Sequence, residues 1–125
     1  ELTWKAFDDM QGGEIYVKKI PSMKITDIAN VIAPNASQKI IGIRPGEKIH
    51  EQMIGSEDSH YTYEYPDHFK ILPQINEWSN DTNRIKNGVK VPEGFVYSSD
   101  SNPHWMTKND LQTWIDANIN YAGKI

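Results

Sequence analysis

The sequence contains no cysteine, which excludes disulfide bonds and every metal site that is built from thiolates. It also lacks a hydrophobic run of the ~20 residues that a membrane-spanning helix requires, since the stretch 40–43 is only as long as a strand. Basic residues are not in excess, because 13 of them face 17 acidic residues and the net charge is −4. We therefore expect a cytoplasmic protein that binds neither a membrane nor nucleic acid.

The motifs of several enzyme classes are missing as well. The dinucleotide-binding pattern GxGxxG is absent, since Gly12 and Gly13 precede a strand and have the wrong spacing. No tyrosine is followed four residues later by a lysine, the helical spacing at which an ammonium group lowers the pKa of a phenol. His50 and Glu51 begin like the zinc-protease motif HExxH, but the second histidine is replaced by Ile54. The residues alone therefore predict no catalytic residue, no cofactor site and no metal site in this chain.

The size and composition are those of one small folded domain. The chain has 125 residues, of which 38% are hydrophobic and 24% are charged. This length is too short for a cofactor domain and a substrate domain together, so we treat residues 1–125 as one domain. Because the sequence opens inside an amphipathic pattern, we expect it to be a piece of a longer protein.

The first half of the sequence alternates between helical and strand patterns. Apolar residues at helical spacing predict helices over residues 2–10 and 25–32, and a third helix around residues 49–54. Apolar runs predict strands over residues 14–19 and 39–43. Because a helix separates these two strands, we expect them to be parallel.

The second half is more irregular until its last helix. Two aromatic segments, 61–65 and 68–72, predict an antiparallel hairpin, and residues 73–103 predict a long loop with isolated extended pieces. The last helix is expected to begin after the N-cap Thr107, with Asp110 completing a capping box. Its predicted buried face consists of Leu111, Trp114, Ile115 and Ile119.

One turn carries residues that suit ligand binding. In the segment 44–47, Arg-Pro-Gly-Glu, an arginine fork could take two diphosphate oxygens, and a glutamate could accept hydrogen bonds from sugar hydroxyls. The residues alone also allow a plainer interpretation, in which Arg44 and Glu47 pair with each other or cap the following helix. Both interpretations stay open at this point.

Several ordered segments closely resemble one enzyme family. Residues 12–24 (GGEIYVKKIPSMK) and 41–51 (IGIRPGEKIHE) are similar to the inverting UDP-N-acetylglucosamine 4,6-dehydratases, which are extended short-chain dehydrogenases. The similarity continues through residues 62–65 (TYEY), 97–100 (YSSD) and 102–105, so it covers nearly the whole chain. Members of this family open the pseudaminic acid pathway, and related enzymes act in capsule synthesis.

The resemblance implies a fold for this chain and places the cofactor and the catalytic residues in another domain. It implies an α/β unit, the C-terminal substrate-binding portion of an extended short-chain dehydrogenase, with a short sheet, flanking helices and a long irregular C-terminal segment. The N-terminal Rossmann domain, with NADP, the Tyr and Lys pair and a catalytic Asp, is expected outside this chain. In this family C4 is oxidised, water leaves from C6, and hydride returns to C6 with inversion at C5. The implied partners are therefore a UDP-sugar, with Arg44 at its diphosphate and Glu47 at its ribose, and the Rossmann domain itself.

Three further questions stay open in the sequence. The segments 97–100 and 102–105 could pack on the Rossmann domain over the substrate, or could cap the final helix. The aromatic hairpin could be a subunit contact in a homo-oligomer or an ordinary core face, with Tyr61, Tyr63, Tyr65 and Phe69 as its members. A non-catalytic scaffold or oligomerisation segment is the alternative function. In every case we expect exposed apolar surface where the longer protein would continue.

Overall fold

The computed structural model describes residues 1–75 and 78–119. The helices are α1 (Leu2–Asp9), α2 (Ile25–Ile32), α3 (Thr82–Ile85) and α4 (Lys108–Ala117). The strands are β1 (Ile15–Lys18), β2 (Gln52–Ile54), β3 (Thr62–Glu64), β4 (His68–Ile71), β5 (Val89–Lys90) and β6 (Tyr97–Ser98). Short 3-10 helices cover Ser56–Tyr61 and Trp78–Asn80. The chain is thus mixed α/β, as predicted.

The main sheet is antiparallel, with the strand order β1-β4-β3-β5. Strands β3 and β4 form the predicted hairpin, in which Tyr63 lies opposite Lys70. Strand β1 joins the other edge of β4, where Val17 lies opposite Phe69. Strands β2 and β6 form a separate antiparallel pair. The hairpin prediction is confirmed. The expectation of parallel strands over residues 14–19 and 39–43 is wrong, because β1 pairs antiparallel with β4 and residues 39–43 form no strand.

The predicted strand over residues 39–43 is also wrong. Residues 37–44 form neither helix nor strand, and Ile40 is 94% exposed. An apolar run becomes a strand only where a neighbouring strand satisfies its backbone N–H and C=O groups. In the part of the chain that the structure describes, no strand pairs with this segment. Its isoleucines therefore remain on the surface.

No helix forms around residues 49–54, where the strand β2 covers Gln52–Ile54 instead. Ile54 is fully buried and pairs with Tyr97 across the β2–β6 ladder, where the register shifts at a bulge. The spacing of the apolar residues in this short segment is compatible with either conformation. Pairing with a segment more than forty residues away decides the outcome, and no local pattern reports such a partner.

Two clusters of buried side chains form the core. The larger one lies between the main sheet and the β2–β6 pair and contains Val17, Ile54, Phe69, Ile71, Val91 and Tyr97. The smaller one contains Tyr63, Tyr65 and Leu72. The aromatic hairpin is therefore largely a core face, which was the plainer of its two interpretations. Whether the chain forms an oligomer stays a prediction.

The ends of the helices follow the local sequence closely. The helix α1 is followed by Gly12 and Gly13, which have φ values of 124° and 81° that suit glycine. The capping box of α4 is confirmed, since Thr107 Oγ1 accepts from the Asp110 N–H at 3.2 Å and Asp110 Oδ2 accepts from the Thr107 N–H at 2.8 Å. The predicted buried face of α4 is confirmed only at Ile115.

The stretch 73–103 contains more regular structure than predicted. It holds α3, β5 and β6 in addition to irregular backbone, while residues 76 and 77 lie outside the described residues. Asp81 caps α3 by accepting the Asn83 N–H at 2.9 Å. The short helix α3 places Arg84 in the interior, where it ties this stretch to the start of the chain.

Candidate functional site

The candidate ligand-binding turn is closed by its own backbone and side chains. The N–H of Glu47 donates to the carbonyl of Arg44 at 3.1 Å, and the N–H of Arg44 donates to Glu47 Oε2 at 2.9 Å. Gly46 adopts a φ of 85°, which is the left-handed conformation that a glycine reaches without strain. The sequence Arg-Pro-Gly-Glu thus forms the predicted turn, and the two candidate side chains belong to its first and last residues.

The two candidate side chains also contact each other. Arg44 Nε lies 3.3 Å from Glu47 Oε1, and the Arg44 side chain is 74% exposed. This contact uses Nε, and within the described part of the chain the two Nη groups of Arg44 have no hydrogen-bonding partner. An arginine carries five N–H donors, so the Nη groups remain able to bind two oxygens of an anion. The predicted pairing is therefore present, and the helix that the turn was expected to open is replaced by an irregular approach to β2.

Apolar side chains lie exposed on both sides of this turn. Ile40, Ile41 and Ile43 precede it and Ile49 follows it. A second exposed apolar patch, formed by Trp4 and Phe7, lies on α1, where the rings meet edge to face at 6.4 Å between centroids. Helix α1 has no buried residue. Exposed apolar surface is thus present at two places, and whether the longer protein covers it stays a prediction.

A buried ion pair joins the start of the chain to α3. The Arg84 guanidinium binds Glu14 in the interior, donates to the Gly12 carbonyl at 3.2 Å and lies 4.0 Å from the ring centroid of Trp78. Glu14 also accepts from the N–H of Gly12 at 2.8 Å. Burial raises the pKa of Glu14, but these hydrogen bonds and the charge of Arg84 outweigh it and hold the pKa below its usual range.

A second buried charge cluster lies around Lys70. Its ammonium group binds Asp9, and Asp9 also accepts hydrogen bonds from Lys86 and from Tyr16 Oη at 2.7 Å. Burial raises the pKa of Asp9, but the two lysines and the phenol outweigh it and hold the pKa far below its usual range. Burial and the neighbouring Asp9 carboxylate raise the pKa of Tyr16 and bring that of Tyr65 to about 12.

Sequence reasoning missed both charge clusters. Asp9 and Lys70 are separated by 61 residues, and Glu14 and Arg84 by 70 residues. Neither pair forms a motif, because no local spacing brings the partners together. Their chemical role is structural, since every cation in them is already paired with a carboxylate. They hold α1 and the Gly12–Gly13 turn against the sheet.

The C-terminal segment is tied to the loop that follows β1. Tyr97 Oη accepts from the Ile20 N–H and donates to the Ile20 carbonyl, both at 2.9 Å. Asn102 Nδ2 donates to the same carbonyl at 2.7 Å and lies 3.2 Å from Ser22 Oγ. Ser22 forms a parallel bridge with Trp105. These residues therefore pack on the described part of this chain, and the cap of α4 comes from its own first turn.

Two kinds of feature are absent from the described residues. No helix among them is both long enough and apolar enough to cross a membrane. No three histidine, cysteine, aspartate or glutamate side chains in residues 1–75 and 78–119 come together as metal ligands would.

Comparison with known proteins identifies the family. A family model described as a polysaccharide biosynthesis protein matches residues 1–73, which include the turn at residues 44–47 and the aromatic hairpin. The chain belongs to this family. Two relatives from Campylobacter jejuni, both named UDP-N-acetylglucosamine 4,6-dehydratase (inverting), are 53% and 51% identical to this family member over 110 residues. The resemblance carried by the sequence motifs is thus confirmed.

The same comparisons define how much of those proteins this family member spans. Each alignment covers 84% of this chain but 33% of the Campylobacter protein. A solved structure, described as the X-ray structure of Pen from Bacillus thuringiensis, is similar with a TM-score of 0.75 and 27% identity. That match covers 94% of this chain and 35% of the other. The chain therefore spans about a third of the length of the proteins it matches.

Proposed function

We propose that this chain is the nucleotide-sugar-binding portion of a UDP-N-acetylglucosamine 4,6-dehydratase. The observation that carries the proposal is the turn at residues 44–47, which holds Arg44 with its Nη groups accessible beside the Glu47 carboxylate. An arginine fork beside a hydrogen-bond acceptor matches a diphosphate attached to a ribose. Relatives that carry the dehydratase name support this ligand class, since they share about half of the aligned residues.

In this proposal the ligand replaces part of the contact within the turn. The Nη groups of Arg44 bind the diphosphate, and Glu47 accepts hydrogen bonds from the ribose hydroxyls. The backbone hydrogen bond between residues 47 and 44 remains and keeps the two side chains at a fixed spacing. Because the free turn is already closed, little conformational entropy is lost when the ligand binds.

The proposal assigns the redox chemistry to the part of the enzyme that lies outside this chain. The described residues do not fit a nicotinamide cofactor, because Gly12 and Gly13 precede a strand and do not open a helix onto a pyrophosphate. NADP and the catalytic residues therefore belong to a Rossmann domain in the longer protein. We place the whole enzyme in the cytoplasm and in the synthesis of pseudaminic acid or a capsular polysaccharide.

The exposed apolar patches are the proposed contact with that domain. The relatives are about three times as long as the aligned segment, so polypeptide is available to cover Trp4, Phe7 and the isoleucines near the turn. Full burial of one such side chain contributes about 1.5–3 kcal/mol. The same surfaces support an alternative, in which the chain is an oligomerisation segment. Sedimentation of the chain alone would show a concentration-dependent increase in mass in that case.

A titration of the chain tests the proposed binding site. UDP and UDP-N-acetylglucosamine are added to labelled chain, and backbone amide shifts are recorded for the wild type, Arg44→Ala and the control Lys48→Ala. The control removes an exposed cation one residue after the turn. We expect shifts at residues 42–50 that are lost in Arg44→Ala and kept in Lys48→Ala. Equal shifts in all three proteins, or none at millimolar ligand, would contradict the proposal and favour the scaffold.

A further inference from the structure

A strained turn joins α3 to β5. The N–H of Gly88 donates to the Ile85 carbonyl at 3.0 Å and closes a turn over residues 85–88. Its second residue, Lys86, has a φ of 53° and a ψ of −116°, as the second residue of a type II′ turn does, and that position usually holds glycine. Among the described residues, Lys86 is the only one besides glycine with a positive φ. A side chain in this sparsely populated region makes the turn strained.

The same turn contains the only Asn-Gly pair of the sequence, Asn87 and Gly88. Asn87 is exposed, and Gly88 has no side chain to hinder a reaction at its nitrogen. The packing explains why glycine stands there. A Cβ added to Gly88 would lie 2.5 Å from Tyr65 Cζ, and that ring is held in place because Tyr65 Oη donates to the Ile85 carbonyl at 2.6 Å. The fold therefore requires glycine directly after an exposed asparagine.

The elements on either side of this turn allow it to open locally. Helix α3 has four residues and β5 has two, and both residues of β5 are exposed. The Lys86 ammonium binds Asp9, but the Lys86 side chain is 55% exposed, so this pair contributes little. Short elements with exposed hydrogen bonds open at a free energy well below that of global unfolding. The strain at Lys86 is released on opening and lowers that free energy further.

We propose that Asn87 deamidates spontaneously in the folded chain through such openings. The Gly88 nitrogen loses its proton to the solvent and bonds to Asn87 Cγ, and the bond from that carbon to the side-chain nitrogen breaks. The side-chain nitrogen takes up a proton and leaves as ammonia, and a cyclic imide remains. The hydroxyl of a water molecule then bonds to one imide carbonyl carbon, whose bond to the Gly88 nitrogen breaks, and the proton of the water returns to that nitrogen. Water is the only co-reactant, and the reaction is independent of the proposed nucleotide binding.

Two products follow, according to which carbonyl carbon reacts. Reaction at Cγ gives aspartate, whereas reaction at the main-chain carbonyl gives isoaspartate, whose backbone is longer because it runs through the side chain. Asn87 lines an open cavity of ≈ 450 Å³ together with Lys5 and Lys86, so water reaches it and the new carboxylate shares the cavity with ammonium groups. The aspartate form therefore keeps the fold. The longer backbone of the isoaspartate form moves Gly88 away from Tyr65 and weakens the pairing of β5 with β3.

Mass spectrometry of the whole chain after storage tests the proposal. The chain is kept folded at mildly alkaline pH, because the attacking nitrogen must lose a proton, and is then cut with a protease specific for glutamate. This cleavage releases residues 78–93, which contain Asn80 and Asn83 as internal references. We expect Asn87 to exchange its amide for a carboxyl before either reference does, and fragmentation to show both isomers. An Asn87 amide that lasts as long as those of the references would overturn the proposal.

Two variants of Lys86 isolate the contribution of strain. Both Lys86→Gly and Lys86→Ala remove the pair with Asp9, but only glycine removes the strain, since alanine keeps a Cβ. We expect folded Lys86→Gly to deamidate about fivefold more slowly than folded Lys86→Ala, because its turn opens less often. In concentrated urea, where the turn is absent, the two variants give their intrinsic rates as a reference. Equal ratios of folded to unfolded rate in the two variants would overturn the proposed opening step.

Urea unfolding of stored samples tests the consequence for the fold. We expect stored wild type to lose stability in proportion to its isoaspartate content, while freshly prepared Asn87→Asp and stored Asn87→Gln keep theirs. Asn87→Gln is the matched control, because its longer side chain forms a cyclic imide less readily. The same loss of stability in stored Asn87→Gln would place the damage at another residue and overturn the proposal.

Discussion

Removing the charge of Asp9 should destabilise the fold more than removing the charge of its partner Lys70. The Lys70 side chain is 2% exposed, its ammonium group binds Asp9, and it donates to the Arg84 carbonyl at 2.8 Å. It also lies 5.3 and 5.2 Å from the ring centroids of Tyr16 and Tyr65. The variant Asp9→Asn keeps the shape of the side chain but leaves this buried ammonium without a counter-charge.

The expected magnitudes follow from burial and from the remaining partners. Breaking a buried ion pair from one side costs about 3–5 kcal/mol, which we expect for Asp9→Asn. Lys70→Met should cost about 1–3 kcal/mol, because Asp9 is 18% exposed and keeps Lys86 and Tyr16 as partners. The control Lys5→Met breaks an exposed pair with Asp67 and should cost no more than about 1 kcal/mol.

Urea unfolding at neutral pH, followed by circular dichroism, gives the three free energies of unfolding. The slopes of the free energy against urea must agree between variants for the comparison to hold. An Asp9→Asn variant that loses less stability than Lys70→Met would refute the reasoning, because it would mean that the Lys70 ammonium needs no counter-charge. Equal losses in Asp9→Asn and Lys5→Met would refute the importance of burial.

Two further predictions concern pH and helix capping. The folded-state pKa values of Asp9 and Glu14 lie below their usual ones. Their contribution to the free energy of unfolding is therefore complete at neutral pH and is lost as the pH falls below about 4, where the unfolded chain takes up protons first. Acid titration of the urea midpoint should show this loss, and Asp9→Asn should make the midpoint depend less on pH. A urea midpoint that does not change with pH would contradict this prediction. Thr107→Ala removes the N-cap of α4 and should lower the free energy of unfolding by about 0.5–2 kcal/mol, measured by urea unfolding, while Thr113→Ala on the exposed face of α4 serves as control.

The parts of the fold that sequence reasoning found are those with local causes. The capping box at Thr107 and Asp110 needs only residues three apart, and the hairpin of β3 and β4 has a turn at Pro66 and Asp67 between its strands. The turn at residues 44–47 was found for the same reason, since Pro45 and Gly46 set its backbone locally. Local chemistry also placed Arg44 and Glu47 side by side.

The parts that sequence reasoning missed depend on partners far along the chain. The apolar run at residues 39–43 looks like a strand, but no described strand lies beside it. The segment around Ile54 looks helical, but its ladder with β6 is formed by a segment that begins at Tyr97. The buried ion pair of Glu14 and Arg84 has the same origin, because its two members are separated by 70 residues.

The sequence by itself determined the family, through motifs that remain recognisable without any structure, and it determined the turn and the helix caps that hydrogen-bond over three or four residues. The tertiary structure alone decided the antiparallel order of the strands and the burial of Lys70 and Arg84. The physical reason is the range of the interactions. A cap or a turn is satisfied by its neighbours, whereas a strand, a buried charge or a cavity wall is stable only when a distant segment supplies its partner.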